Sequence, residues 1–249
     1  MKPYLAILNH RTLLVIIISA GVTYLSFRLG IKYYVDLTLL SIAIIFPLVF
    51  TIRGSFRRRE KALEHLSRFR SALKTIQYFA NTDTQLTADK KVEMNNILEE
   101  INDSTIAHLQ RHDHTIDELD QVMENIQRFV GENKEHMGNR SRDRILRLMR
   151  DLHESVENLH GIHTHRTPVS LKAYCLVFIY AFPLIYSPTI IYSVGDGTHQ
   201  GISYLIVVLT QFILISLYNI QDQLEYPFDD MGLDDIQLDT YRLDRKNGS

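Results

Sequence analysis

The sequence predicts an all-α, four-span membrane protein with a helical cytoplasmic segment between two transmembrane hairpins. One observation is that long uncharged stretches alternate with a middle region, 53–166, that is dense in charged and amide side chains. The second is that these uncharged stretches come in two close pairs, which favours hairpins: 12–27 with 37–52, and 173–195 with 197–221, the last interrupted only by His199. The net charge of −2 therefore averages two different environments and says nothing about partners.

A membrane-spanning helix needs about 20 mainly apolar residues. We predict spans at about 12–30, 35–52, 171–194 and 201–220. The first two are short, and the side chains of Arg28 and Lys32 can extend them by reaching the interface, where Tyr33 and Tyr34 would form an aromatic belt. The predicted organisation is a first hairpin at 1–52, a cytoplasmic helical segment at 53–166, a second hairpin at 167–220 and an acidic cytoplasmic tail at 221–249.

Basic residues near the ends of the spans indicate the orientation. Five of the nine residues from Arg53 to Lys61 are Lys or Arg, and Arg166 and Lys172 precede or open the third span. The loop at 28–36 has only two basic residues, and 195–200 has none. Because basic loops stay in the cytoplasm, both termini and the middle segment are predicted to be cytoplasmic.

The middle segment predicts three amphipathic helices, because its apolar residues recur at intervals of three and four. Their stripes are centred on Leu98, Met123 and Leu152. Each stripe needs a partner surface, either another helix of the segment or a neighbouring subunit. The single cysteine, Cys175, lies in the third span, where we expect an inert buried thiol and no disulfide.

The most specific motif follows the fourth span. Seven carboxylates and no Lys or Arg occur between Asp222 and Asp239, with apolar residues among them. A solvated acidic tail is one interpretation, but the rigid Pro-Phe turn and the interleaved apolar residues favour an anchored segment. The motif comprises Glu225, Pro227, Phe228, Asp229, Asp230, Asp234, Asp235 and Asp239.

This motif resembles the signature that follows the last membrane helix in the bestrophin family, especially its bacterial members. Residues 166–170, Arg-Thr-Pro-Val-Ser, are similar to that family's Thr-Pro-Ile-Pro entry to the third helix. Residues 52–55, Ile-Arg-Gly-Ser, are similar to its Phe-Arg-Asn-Asn exit from the second. The order of two helices, a helical block and two more helices is also the family's order, so the resemblance covers most of the chain.

The resemblance implies a homopentameric ion channel in a bacterial inner membrane, with membrane lipids and small inorganic ions as partners and no cofactor. It also implies a narrow apolar neck on the second helix, which we assign to Ile44, Leu48 and Ile52. Their i, i+4, i+8 spacing places them on one stripe, which could instead pack on neighbouring helices. Pro47 could kink this helix. Charge selectivity is not readable, since anion and cation channels both occur in the family.

Two further motifs have competing interpretations. Animal members of the family bind calcium at a run of carboxylates, but here the run is broken by Met-Gly-Leu, so we expect a structural clasp. The histidines His108, His112, His160 and His163 have spacings seen in metal sites, yet solvated helix surface is the more economical interpretation. A pH-responsive cluster is a third possibility for them.

No phosphate-binding loop, catalytic Ser-His-Asp motif or nucleic-acid module is recognisable, and we predict that the protein is not an enzyme and binds no nucleic acid. The basic cluster at 53–61 indicates topology and lipid headgroups rather than DNA. Two other functions stay open: a non-conducting scaffold or sensor that uses its cytoplasmic helices, and a membrane metalloenzyme that uses the histidines.

Overall fold

The computed structural model describes residues 9–111, 116–195, 199–230, 232 and 234–244. Within them the chain forms helices and no strand, which confirms the predicted all-α fold. The helices are α1 (His10–Leu29), α2 (Thr38–Thr82), α3 (Ala88–Gln110), α4 (Asp117–Glu132), α5 (Asn139–Thr164), α6 (Val169–Val194) and α7 (Gln200–Leu224), followed by a short 3₁₀ turn at Leu238–Tyr241.

Four helices are long and apolar enough to cross a membrane, as the sequence predicts: α1, α2, α6 and α7. Local signals set the ends of α1. The Asn9 side chain accepts a hydrogen bond from the Thr12 amide at 3.0 Å, which caps the first turn. Gly30, at φ 66°, takes the left-handed conformation that ends a helix, and the Ile31 amide bonds back to the Ser26 carbonyl.

Helix α2 is longer than the predicted span. It begins at Thr38 rather than at 35, and it continues for 45 residues to Thr82 instead of ending at 52. Arg and Lys favour helix, and one glycine, Gly54, costs only about 1 kcal/mol, so the change from apolar to basic sequence does not stop it. The point at which α2 leaves the membrane stays a prediction.

The chain divides into two compact units. The first, the membrane unit, comprises Met1–Arg57 and Thr167–Glu225. Its apolar core joins α1, α2, α6 and α7. Helix α1 contributes mainly hydroxyl side chains to the interior, and the Ser187 hydroxyl of α6 donates to Thr23 at 3.0 Å. Small polar residues let membrane helices approach closely.

The second unit, the helical unit, comprises Arg58–Arg166 and Tyr226–Ser249. The three predicted amphipathic helices are confirmed as α3, α4 and α5, whose stripes centred on Leu98, Met123 and Leu152 are buried. They share one core with the second half of α2 and with apolar residues after α7. Cys175, in the membrane unit, is buried as expected.

Candidate functional site

The predicted neck residues do not face outward in the subunit. Ile44 and Leu48 are only 2% and 1% exposed, and both pack in the core of the membrane unit with residues such as Ile179 and Tyr218. Ile52 is half-buried beside the same core. A side chain that is covered within its own chain is not accessible to a pore unless that packing opens. The assignment of Ile44, Leu48 and Ile52 to a neck stays a prediction.

An apolar stripe on the other side of α2 is open. Ile42, Phe46 and Phe50 are 46%, 57% and 58% exposed. These residues also have i, i+4, i+8 spacing. Because each residue advances a helix by about 100°, residues two positions apart, such as Ile42 and Ile44, point to opposite sides of α2. The rings of Phe46 and Phe50 lie 5.9 Å apart. This outward stripe is the surface that α2 offers to a partner, a lipid or a pore.

Pro47 lies inside α2 without ending it. Proline lacks an amide hydrogen, so the carbonyl of Ala43, one turn earlier, loses its helical donor. The hydroxyl of Tyr174, on α6, donates to that carbonyl at 3.2 Å. Because an unpaired backbone group is costly inside a membrane, this bond lets a proline sit in a continuous spanning helix.

A buried charge cluster joins the ends of α6 and α7. The Lys172 ammonium contacts Asp222 at 2.6 Å and Glu225 at 2.7 Å, and the Glu225 side chain is 1% exposed. Glu225 also accepts the Thr167 amide at 2.9 Å. The Thr-Pro segment and the Glu-x-Pro-Phe segment, far apart in sequence, therefore meet here. Sequence reasoning treated Lys172 only as a topology signal and missed this role.

The segment after α7 is anchored rather than solvated. Phe228, Ile236 and Leu243 are buried in the core of the helical unit. The Ile236 amide donates to the Pro227 carbonyl at 2.8 Å, which closes the turn. Asn102, on α3, holds the end of the segment by accepting the Leu243 amide at 2.9 Å. We call residues 226–244 the clasp segment.

Two carboxylates of the clasp segment, those of Asp235 and Asp239, bond to other groups within the segment. The Gly232 amide donates to Asp235 at 2.6 Å, and a Cβ at Gly232 would lie 2.5 Å from the Asp235 carboxylate, so a larger residue would require that carboxylate to shift. Burial raises the pKa of Asp235 to about 6, and the neighbouring Asp229 carboxyl adds to this. Asp239 pairs with Arg242 at 2.8 Å. Asp230 and Asp234 lie in the same turn, Asp230 in the left-handed region at φ 56°.

Three of the predicted histidines come together from two helices. Nε2 of His108, on α3, lies 3.0 Å from Nδ1 of His160, on α5. The His163 ring is 5.8 Å from that of His108, and its Nε2 donates to the Arg111 carbonyl at 2.9 Å. His112 lies outside the described residues. Among the residues described, no three His, Cys, Asp or Glu side chains are arranged to hold a metal ion.

Comparisons with known proteins show where this fold occurs. No family model and no curated protein matches the chain. Among solved structures, a bacterial bestrophin homologue from Klebsiella pneumoniae is similar, with 19% identity, a TM-score of 0.75 and 93% of each chain covered. A protein described as a membrane protein variant is also similar, at 18% identity and TM-score 0.76, over 97% of this chain and 94% of the other.

The TM-scores and the nearly complete coverage show that the fold is shared. Because the sequence identities are below 20%, the similarity shows the fold and nothing further. The chain has the fold of the bacterial bestrophin homologues.

Proposed function

We propose that this protein is the subunit of a passive ion channel in a bacterial inner membrane. The observation that carries the proposal is the outward stripe of α2, an apolar row with one-turn spacing on a membrane helix of a bestrophin-like fold. The sequence motifs that resemble the bestrophin family support it, because that family conducts ions through an apolar neck on its second helix. The protein is an integral membrane protein by this proposal and carries out no chemical reaction.

The neck in this proposal is formed by Ile42, Phe46 and Phe50 rather than by the buried stripe. In a homopentamer each residue would contribute a ring of five apolar side chains around the axis. Such rings can stop conduction by excluding water, while charges and dipoles at the two mouths attract ions. Ile45 and Val49, which are 48% and 51% exposed, lie on the flank of the stripe, where they can contact a neighbouring subunit.

The orientation and the domain boundaries belong to the same proposal. Both termini and residues 53–166 lie in the cytoplasm, because the basic residues cluster at that end of the spans. The clasp segment then holds its cytoplasmic position through apolar anchors and uses its carboxylates structurally. The assembly has about five times the 29.0 kDa mass of the chain, which native mass spectrometry can measure.

The decisive experiment is ion flux from proteoliposomes containing the purified protein, with anion and cation gradients tested separately. The variants Ile42→Ala, Phe46→Ala and Phe50→Ala widen the proposed neck, and we expect each to raise flux severalfold. Leu13→Ala and Ile17→Ala are the controls, since they remove exposed apolar side chains from α1, which contributes nothing to the proposed neck, and should leave flux near that of the wild type.

Two results would contradict the proposal in different ways. Flux at the level of empty liposomes for every variant would exclude a channel and leave a scaffold or sensor. Increased flux in Ile44→Ala and Leu48→Ala, with none in the outward-stripe variants, would return the neck to the stripe that is buried in the subunit.

A further inference from the structure

The His108–His160 pair brings two ionisable rings into direct contact inside the helical unit. His108 is 7% exposed and His160 is half-buried. Their ring nitrogens are 3.0 Å apart, which is a hydrogen-bond distance. The rings belong to α3 and α5 and lie 52 residues apart in sequence, so the bond directly joins two helices.

Whether this hydrogen bond can form depends on how many protons the His108 and His160 rings carry. With both rings neutral, or with one of them protonated, one nitrogen donates and the other accepts. With both rings protonated, each facing nitrogen carries a hydrogen, so the bond is lost and two positive charges repel at contact distance. The closed pair therefore holds at most one extra proton, whereas two separated histidines hold two.

Among the residues that the structure describes, two acidic side chains near His108 have basic partners. A cavity of about 340 Å³ beside His108 is lined by Asp103 of α3, by Arg111, which directly follows α3, and by Glu118 of α4. Asp103 pairs with Arg242 of the clasp segment at 2.7 Å, and Glu118 lies 3.6 Å from Arg111.

Other basic side chains lie near the end of α5. The guanidinium of Arg58, on α2, donates to the carbonyl of His165. His163 lies on the same helix as His160 and presents its Nε2 hydrogen to the Arg111 carbonyl.

The pair is connected to the clasp segment through a third ring. The His163 ring lies 5.8 Å from the His108 ring and 6.2 Å from that of Phe228. Phe228 is 4% exposed and forms the apolar anchor of the Pro-Phe turn. Moving α3 and α5 apart at His108 and His160 would therefore disturb the place where Phe228 is held.

We propose that His108 and His160 form a proton-operated latch that is closed at neutral pH and opens in mild acid, loosening the Phe228 anchor of the clasp segment. The latch is a property of the helical unit and does not depend on ion conduction. In the open state both rings can be protonated, so in acid the open state binds one more proton than the closed state. The ratio of closed to open protein should then fall by up to tenfold per pH unit.

A tryptophan reporter can measure this opening in the full-length protein. The chain has no tryptophan, so Tyr226→Trp places a single reporter two residues before Phe228. Because the pKa of Asp235 is raised to about 6 by burial, its titration could mimic the latch, and the reporter protein therefore also carries Asp235→Asn. The titration is carried out in buffers with EDTA and repeated without EDTA. We expect the emission to shift to longer wavelength as the pH falls from 7.5 to 5.

The matched variants test the assignment of this shift. His108→Gln and His160→Gln, each added to the reporter protein, remove one titrating ring and should abolish the shift or move its midpoint by more than 1 pH unit. His136→Gln changes an exposed histidine of the same unit and should leave it unchanged. If a variant does not fold, hydrogen–deuterium exchange of residues 226–244 in the wild type, corrected for intrinsic rates, must show the same acid-induced opening.

Either of two results would overturn the latch. One is a shift that persists unchanged in both His108→Gln and His160→Gln. The other is a shift that occurs only without EDTA and responds to added zinc at pH 7.5, because a metal ion and not a second proton would then control the clasp segment.

Discussion

At the scale of single residues, Lys172 lies in a cluster of charged side chains in the membrane unit. It binds Asp222 and the fully covered Glu225, while Arg11 reaches Asp222 at the longer distance of 3.4 Å. Removing one member of a buried ion pair leaves the other without compensation, which costs far more than removing an exposed partner. Lys172 and Arg11 therefore offer a matched comparison around the same carboxylate.

We predict that Lys172→Met lowers the free energy of unfolding by about 3 kcal/mol and that Arg11→Gln lowers it by less than about 0.5 kcal/mol. Thermal unfolding in detergent measures both. Adding Glu225→Gln to Lys172→Met should recover part of the loss, since the glutamine can still accept the Thr167 amide. Equal destabilisation by the two single variants would contradict the buried ion cluster.

The negative charge of Asp83 also stabilises the fold, through hydrogen bonds that its carboxylate accepts. It accepts the Gln85 amide at 2.8 Å and the Gly138 amide at 3.0 Å, which ties together the turns before α3 and α5. Burial alone would raise the pKa of Asp83, but these hydrogen bonds and one from Ser141 outweigh it and lower the pKa. Protonation therefore favours the unfolded chain.

The stabilisation by Asp83 should be complete above pH 4, the usual range of an unfolded aspartate, and should disappear as the pH falls through the lower pKa of the folded state. We expect Asp83→Asn to be less stable than the wild type at pH 7 and equally stable near pH 2. Melting temperatures at several pH values test this. A difference that stays constant over the whole range would contradict the role of the charge.

At the scale of elements, α2 shows how a helix tolerates proline inside a membrane. The Tyr174 hydroxyl replaces the donor that Pro47 lacks by bonding the Ala43 carbonyl. We predict that Tyr174→Phe lowers the free energy of unfolding by about 1–2 kcal/mol, because that carbonyl is left unpaired. In a Pro47→Ala background the helical bond returns, and the same substitution should cost less than about 0.5 kcal/mol.

This double-mutant cycle is measured by unfolding in detergent, with Tyr186→Phe as the control. Tyr186, also on α6, bonds the Thr210 hydroxyl and not α2. Its effect should be the same in both backgrounds. If the cost of Tyr174→Phe is also independent of residue 47, then the tyrosine does not compensate for the proline.

At the scale of the whole molecule, the proposed topology places the loop between α1 and α2 on the opposite side of the membrane from the helical unit. Cys175 is buried and is the single cysteine, so Cys175→Ser provides a background for labelling. Tyr34→Cys and Glu135→Cys then introduce thiols at exposed positions. An impermeant maleimide should label residue 34 in intact cells and residue 135 only after lysis.

Both variants are also labelled in detergent, where both thiols are accessible. This controls for a difference in reactivity between the two thiols. Labelling of residue 135 from outside intact cells would reverse the proposed orientation. Labelling of both residues from outside would exclude the arrangement of two hairpins that leaves both termini in the cytoplasm.

The sequence indicates the helix that carries the proposed neck, α2, but not which side of that helix is open. Periodicity identifies which residues of α2 share a stripe, so Ile44 and Leu48 were correctly grouped. Both faces of α2 in the membrane are apolar, however, and an apolar side chain carries no sign of whether it meets its own subunit or an axis. The outward stripe of Ile42, Phe46 and Phe50 became evident only when α6 and α7 covered the other face.

The sequence by itself determined the class of the protein, because a bilayer and water select different side chains along a chain. It established four apolar helices, three amphipathic helices and a specific Pro-Phe acidic segment. The tertiary structure alone decided which distant residues meet: Lys172 with Glu225, Tyr174 with Ala43, and His108 with His160. Such pairs depend on how helices rotate and pack against one another, and periodicity within one helix contains no information about its partner.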